Sequence, residues 1–180
     1  MCQFKSAIVV HDEREKCGFR LLLSPWTESH SELEIIHGLK DGKRLNYAKV
    51  EFMPKSMDEA YKPETYSLRI DEGRTPDWFD AEMKGKVSDK LTDYIKSIIV
   101  SGDVELLIGG QFIIAPKAKV ACAHGMVINA VSGGTISEVR GGTISEVWGG
   151  TISEVRGTWN PIIGPVKEPG KITTDHRNTK

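Results

Sequence analysis

SGGTISEVRGGTISEVWGGTISEVRG, residues 132–157, states one eight-residue unit three times and varies a single letter, which reads Arg140, Trp148 and Arg156. Stepping backward by eight extends the register through GMVINAVS (125–132), KAKVACAH (117–124) and GGQFIIAP (109–116). The fourth position of the six octads is then Phe112, Val120, Ile128, Ile136, Ile144 and Ile152, and the seventh is Ala115, Ala123, Val131, Val139, Val147 and Val155. Both columns are wholly apolar. Residues three apart on a flat strand face opposite sides, so a chain that buries both columns together must turn a corner between them. A β-solenoid supplies that corner: each octad forms one short side, glycines ease the bends, and Ile and Val of successive coils stack inside. Six octads make three coils of sixteen or two of twenty-four. The competing arrangement is a meander with a two-residue hairpin at each Gly-Gly. It leaves Ile and Val on opposite faces, and the one long helix in the rest of the chain covers only one of them.

The chain before the octads reads as a mixed α/β module over 1–108. FKSAIVV (4–10) and GFRLLLSP (18–25) are short apolar runs around the charged HDEREKC, which predicts two paired strands. Ser29, with Glu32 three residues on, resembles a capping box, and Leu33, Ile35 and Ile36 offer an apolar face, so a short helix is expected over 30–37. NYAKVEFMP and TYSLRIDE alternate in the manner of half-buried strands, with 54–63 as the loop between them. Thr75-Pro76 is expected to cap a helix start, with Asp77 and Asp80 near its positive end and Trp78 and Phe79 anchoring the turn. Val87, Leu91, Tyr94, Ile95, Ile98 and Ile99 draw a helical stripe ending before Gly102. VELLIGG then begins another strand.

The expected fold class is thus α+β, a module over 1–108 followed by a short β-solenoid of octads over 109–166. The module is expected to cap one end, and Trp159, Ile162 and Ile163 to close the other as apolar bulk, with Pro161 and Pro165 stopping further strand pairing. Residues 167–180 read as a flexible tail.

FKSAIVV, KVEFMP, YSLRIDE and TPDWFD together resemble the N-terminal module of uncharacterised proteins of phages and gut-bacterial prophages, some of which continue into short glycine-containing repeats. The resemblance covers residues 4 to about 108 and implies a viral or prophage origin; the family carries no assigned reaction.

Composition narrows the function. Hydrophobic residues at 39% and charged residues at 27% of 180 fit a globular chain. Charge splits weakly, about −4 over 1–108 and +3 over 109–180, without the basic face a nucleic-acid binder needs to displace counterions. No run approaches the roughly 20 apolar residues of a membrane span, and MCQFKSAIVVHDERE turns acidic without a cleavage region, so the host cytosol is the expected location. Cys2, Cys17 and Cys122 lack CxxC spacing and read as free thiols, Cys122 as a small buried residue. The five histidines show no metal-ligand spacing, and no nucleophile or carboxylate pair stands out, so no catalytic residue, metal or cofactor is assigned.

The free letters are the candidate partner-binding residues: Arg140, Trp148 and Arg156 would place an aromatic between two guanidinium groups in one column, types that favour macromolecular contacts. Against that stands a self-contained reading, in which Trp148 folds onto its own coil and the arginines neutralise Glu138, Glu146 and Glu154. The expectation is a non-enzymatic binding module that takes a host or viral protein, an inhibitor of a host defence component being one version. The alternatives are a small hydrolase or nucleotide-handling enzyme in the N-terminal module, and a structural virion component.

Overall fold

The computed structural model describes residues 4–39, 47–71, 75–156 and 161–177. The chain forms two compact units, Met1–Lys55 with Glu64–Ile95 and Ser56–Pro63 with Lys96–Lys180.

The first unit holds a four-stranded antiparallel sheet. Its strands β1 (Lys5–His11), β2 (Phe19–Leu22), β3 (Tyr47–Met53) and β4 (Ser67–Ile70) lie in the order β2-β1-β3-β4. The expected pairing of the first two runs is present, with Ile8 opposite Leu22. β3 departs from simple alternation: Tyr47, Ala48, Val50 and Phe52 are buried, and so is Lys49, because this central strand is covered on both faces. Helix α1 (His30–Ile36) is N-capped by Ser29, whose hydroxyl accepts from the Glu32 N–H at 3.3 Å. Leu33 is buried with Ile8 and Tyr47, but Ile35 and Ile36 are 78% and 57% exposed. Seven residues make about two turns, and the one buried position in each is taken by His30 and Leu33.

Helix α2 (Ala81–Ile98) is longer than the stripe alone predicts and runs through Gly85. Its cap is Asp80, which accepts the Met83 N–H at 2.8 Å. Pro76 belongs to a preceding turn, closed by Phe79 N–H to the Pro76 carbonyl at 2.9 Å. Val87, Leu91, Ile95 and Ile98 are buried as the period requires, and Ile99 leaves the helix to begin a strand.

From Ile99 onward the second unit is a parallel β-solenoid of about five turns over 99–175. One stack contains β5 (Ile99–Val100), β7 (Gln111–Ile114), the first part of β9 (Met126–Val139), β10 (Gly142–Ile144) and β12 (Ile162–Ile163). The other contains β6 (Asp103–Ile108), β8 (Lys119–His124), the last part of β9, the last part of β11 (Val147–Val155), whose start at Val147 lies on Val131 in the first stack, and β13 (Lys171–Asp175). Thr135 lies over Thr151 and Met126 over Gly142, so the coil is sixteen residues, two octads. Parallel pairing throughout this unit rules out the meander. The solenoid also begins ten residues before the first octad, since Ile99–Val100 and VELLI are already coil strands.

Both apolar columns face inward. Ile128, Ile136, Ile144 and Ile152 and, three residues on, Val131, Val139, Val147 and Val155 are at most 1% exposed and form one continuous core. The corner falls at the serine between them, where Ser137 and Ser145 are exposed. The second glycine of each perfect unit is required twice over. Gly134, Gly142 and Gly150 have φ of +70°, +92° and +75°, and a Cβ on Gly142 would stand 2.2 Å from the Met126 carbonyl oxygen of the coil before.

Three expectations change here. Lys171–Asp175, expected within a flexible tail, form β13 beside β11, with Thr151 opposite Lys171. Pro161 and Pro165 do not end the pairing, because β12 between them lies on β10, and the coil closes with a step of nineteen to twenty residues. Cys122 is half-buried, in the outward column between Leu106 and Glu138, not inside. Cys2 and Trp159 lie outside the described residues.

Candidate functional site

A sixteen-residue coil separates the free letters. Arg140 and Arg156 stand one coil apart at the same corner, where their N–H groups donate to the Ala123 and Val139 carbonyls at 2.9 Å each. His124 precedes them, and His176 continues the column, its N–H donating to the Val155 carbonyl at 2.9 Å. Trp148 belongs to the other stack. It sits in a bulge, because Val147 pairs with Val131 and Gly149 with Ser132, leaving Trp148 without an opposite residue. The expected Arg–Trp–Arg column is therefore two half-sites: a guanidinium ladder on one side of the coil and an aromatic on the other.

The ladder is held by carboxylates on the neighbouring column. Arg140 reaches Glu138 Oε2 at 2.7 Å, while Arg156 bridges Glu138 Oε1 in the coil before and Glu154 Oε1 in its own at 3.1 Å. His176 Nε2 stands 3.5 Å from Glu154 Oε1. The Arg140 hydrogen bond, with the charges of Arg140 and Arg156, holds the Glu138 carboxyl below its ordinary value. Isolated surface pairs contribute little, but one guanidinium shared between two coils orders several side chains at once.

Trp148 is closed by its own surroundings. Its indole N–H donates to the Glu146 carboxylate, and Lys167 Nζ lies 3.5 Å above the ring and 3.6 Å from Glu146 Oε2. Glu146 is thus met by Trp148 and Lys167, while the arginines meet Glu138 and Glu154. Lys167 and His176 escaped the sequence reading because the last coil breaks the count of eight. The separation of the letters was visible in the letters themselves, since Arg–Trp–Arg has a period of sixteen.

In the first unit, the buried Lys5, His30 and Lys49 each meet a carboxylate. Lys5 is fully buried, its Nζ donating to the Ser24 carbonyl at 2.7 Å and to Glu28 at 3.0 Å, and lying 5.6 Å from the centre of the Tyr94 ring. Burial lowers the Lys5 ammonium from its ordinary value and Glu28 opposes it; burial pushes the Tyr94 hydroxyl up to about 12. Lys49 meets Glu34 at 2.9 Å, and buried His30 faces the Val50 carbonyl at 3.1 Å and Asp71 at 2.8 Å. These pairs tie the sheet to its connecting segments. Among the described residues no three His, Cys, Asp or Glu gather as a metal cage, and no helix is long and apolar enough to cross a membrane.

No protein-family model matches the chain, and comparison with curated proteins and with solved structures finds no match.

Proposed function

We propose that the chain is a non-enzymatic binding protein, an accessory protein of phage or prophage type as the resemblance of its first module implies, which presents the solenoid's lateral face to a host or viral protein. A component of host defence is one such partner. The observation that carries this reading is the ladder Arg140–Glu138–Arg156–Glu154, in which each guanidinium is oriented by carboxylates before any partner arrives. Binding normally costs the ordering of each long side chain at the interface, about 0.5–1.5 kcal/mol apiece, and here part of that cost is met in folding. Arginine and tryptophan are also the residue types that most often carry interface energy.

The test is affinity purification from infected or prophage-bearing cells. The variant Arg140→Ala/Arg156→Ala and, separately, Trp148→Ala are expected to keep the fold, read by circular dichroism. The double arginine variant is expected to lose the captured protein, and the tryptophan variant to lose it only if the partner wraps both sides of the coil. Unchanged capture by the double variant and Trp148→Ala alike removes the lateral face as the binding surface.

A further inference from the structure

The two ends of the second stack are built differently. β13, the last strand, places Asp175 in register with Val155, at the position where earlier coils carry an inward valine, and Arg177 pairs with that carboxylate through Nε at 2.9 Å. A charge in the core column blunts a sheet edge against strand addition. β6, the first strand, has no such device. It pairs on one side with β8, from Asp103 opposite Lys119 to Ile108 opposite His124, and among the described residues no strand pairs with its other side.

The outward columns change character at this end. Running from β6 to β11 they read Leu106, Cys122, Glu138, Glu154 and Ile108, His124, Arg140, Arg156. Charged ladders thus give way to Leu106 and Ile108, which are 52% and 66% exposed on an edge strand. Exposed Asp103 and Glu105 lie on the same strand. An unpaired strand edge with adjacent exposed apolar side chains is what main-chain recognition of an extended peptide uses.

We propose that the free edge of β6 is a docking site for an extended segment of another protein, carrying basic residues toward Asp103 and Glu105 and apolar residues over Leu106 and Ile108. A second copy of this chain fits poorly in both available ways. Two β6 edges meeting antiparallel over their length set Asp103 against Ile108 and Glu105 against Leu106, a carboxylate over an apolar side chain at each pair, and β13 of one copy under β6 of another sets Asp175 against Leu107, which is buried in the core. The edge lies two coils before Arg140 in the same outward column, with His124 between them.

The probe is a fluorescein-labelled peptide, Gly-Lys-Val-Lys-Leu-Val-Leu-Gly, titrated with the full chain by fluorescence anisotropy. Saturable binding is expected. Leu106→Lys with Ile108→Lys, both outward and remote from the core, is expected to weaken it by at least about tenfold with an unchanged thermal midpoint. A peptide with proline at the central leucine, which removes a main-chain donor, is expected to weaken binding comparably. Arg140→Ala/Arg156→Ala is expected to leave it unchanged, so failure here and failure of the lateral face are told apart. Absence of saturable binding, or binding indifferent to both the double lysine variant and the proline, overturns the proposal. So does sedimentation showing a dimer that the double lysine variant dissolves, which would give the edge to a second copy.

Discussion

In the four-stranded sheet, Lys5 and Lys49 are buried with their own carboxylates, Glu28 and Glu34. In the perfect repeats of the solenoid the inward columns are Ile and Val alone, and the ion pairs of Glu138, Arg140, Glu154 and Arg156 lie outside. The difference follows from how each unit satisfies its core. The sheet closes on segments of irregular course, so each buried polar group needs an individually placed partner. A solenoid coil stacks on a copy of itself, so one choice of residue at each position is right for every coil.

That contrast is most strongly tested at glycine. Gly142→Ala is expected to cost about 3 kcal/mol or more, read by chemical denaturation, because the added methyl meets the backbone of the coil before it and the φ of +92° remains strained. Gly18→Ala in the first unit has a φ of +80° but only the flexible end of Met83 nearby at 3.7 Å, and is expected to cost about 1 kcal/mol. Equal costs would mean that close stacking is not what demands glycine in the repeats.

A smaller effect separates the two isoleucine populations. Ile136→Ala opens a cavity in the fully buried column and is expected to cost about 2–4 kcal/mol, whereas Ile36→Ala on the exposed face of α1 is expected to stay within about 0.5 kcal/mol. Thermal unfolding of the two variants side by side measures the gap.

The smallest effect is electrostatic. Glu138→Gln is expected to cost less than about 1 kcal/mol at neutral pH. Because folding holds this carboxyl below its ordinary value of 4.5, its contribution is present above that value and fades as pH falls through the depressed one. The difference in stability between the natural chain and the variant should therefore close in acid, and a difference constant down to the acid limit would show that the ladder does not stabilise the fold.

The solenoid was legible because its signal is periodic: the Ile and Val columns can be counted, and each inward position repeats the same demand. Even there, the first coil hid although VELLI lies a regular sixteen residues before β8, because β5 stands fourteen residues before β7, and the last hid in KITTD, twenty residues after its partners in β11. In the first unit the strands and α1 were legible, but not Lys5–Glu28 or Lys49–Glu34, since no local spacing links residues more than a dozen positions apart. The face of α1 was misjudged at Ile35 and Ile36 because seven residues, about two turns of helix, are too few to define a stripe. The candidate residues Arg140, Trp148 and Arg156 stood out by being the only letters that vary, yet which of them are neighbours depended on the coil length.

Because a coil is two octads, the parity of the copy number matters more than the number itself. Unequal recombination between identical units would add or remove eight residues, half a circuit. The inward columns tolerate this, since Ile follows Ile and Val follows Val on either flank. The terminal strands β12 and β13 do not, because each is matched to one flank. Lineages that change length in pairs of octads would keep their closing segment seated, while odd steps would turn arginine and tryptophan to exchanged flanks.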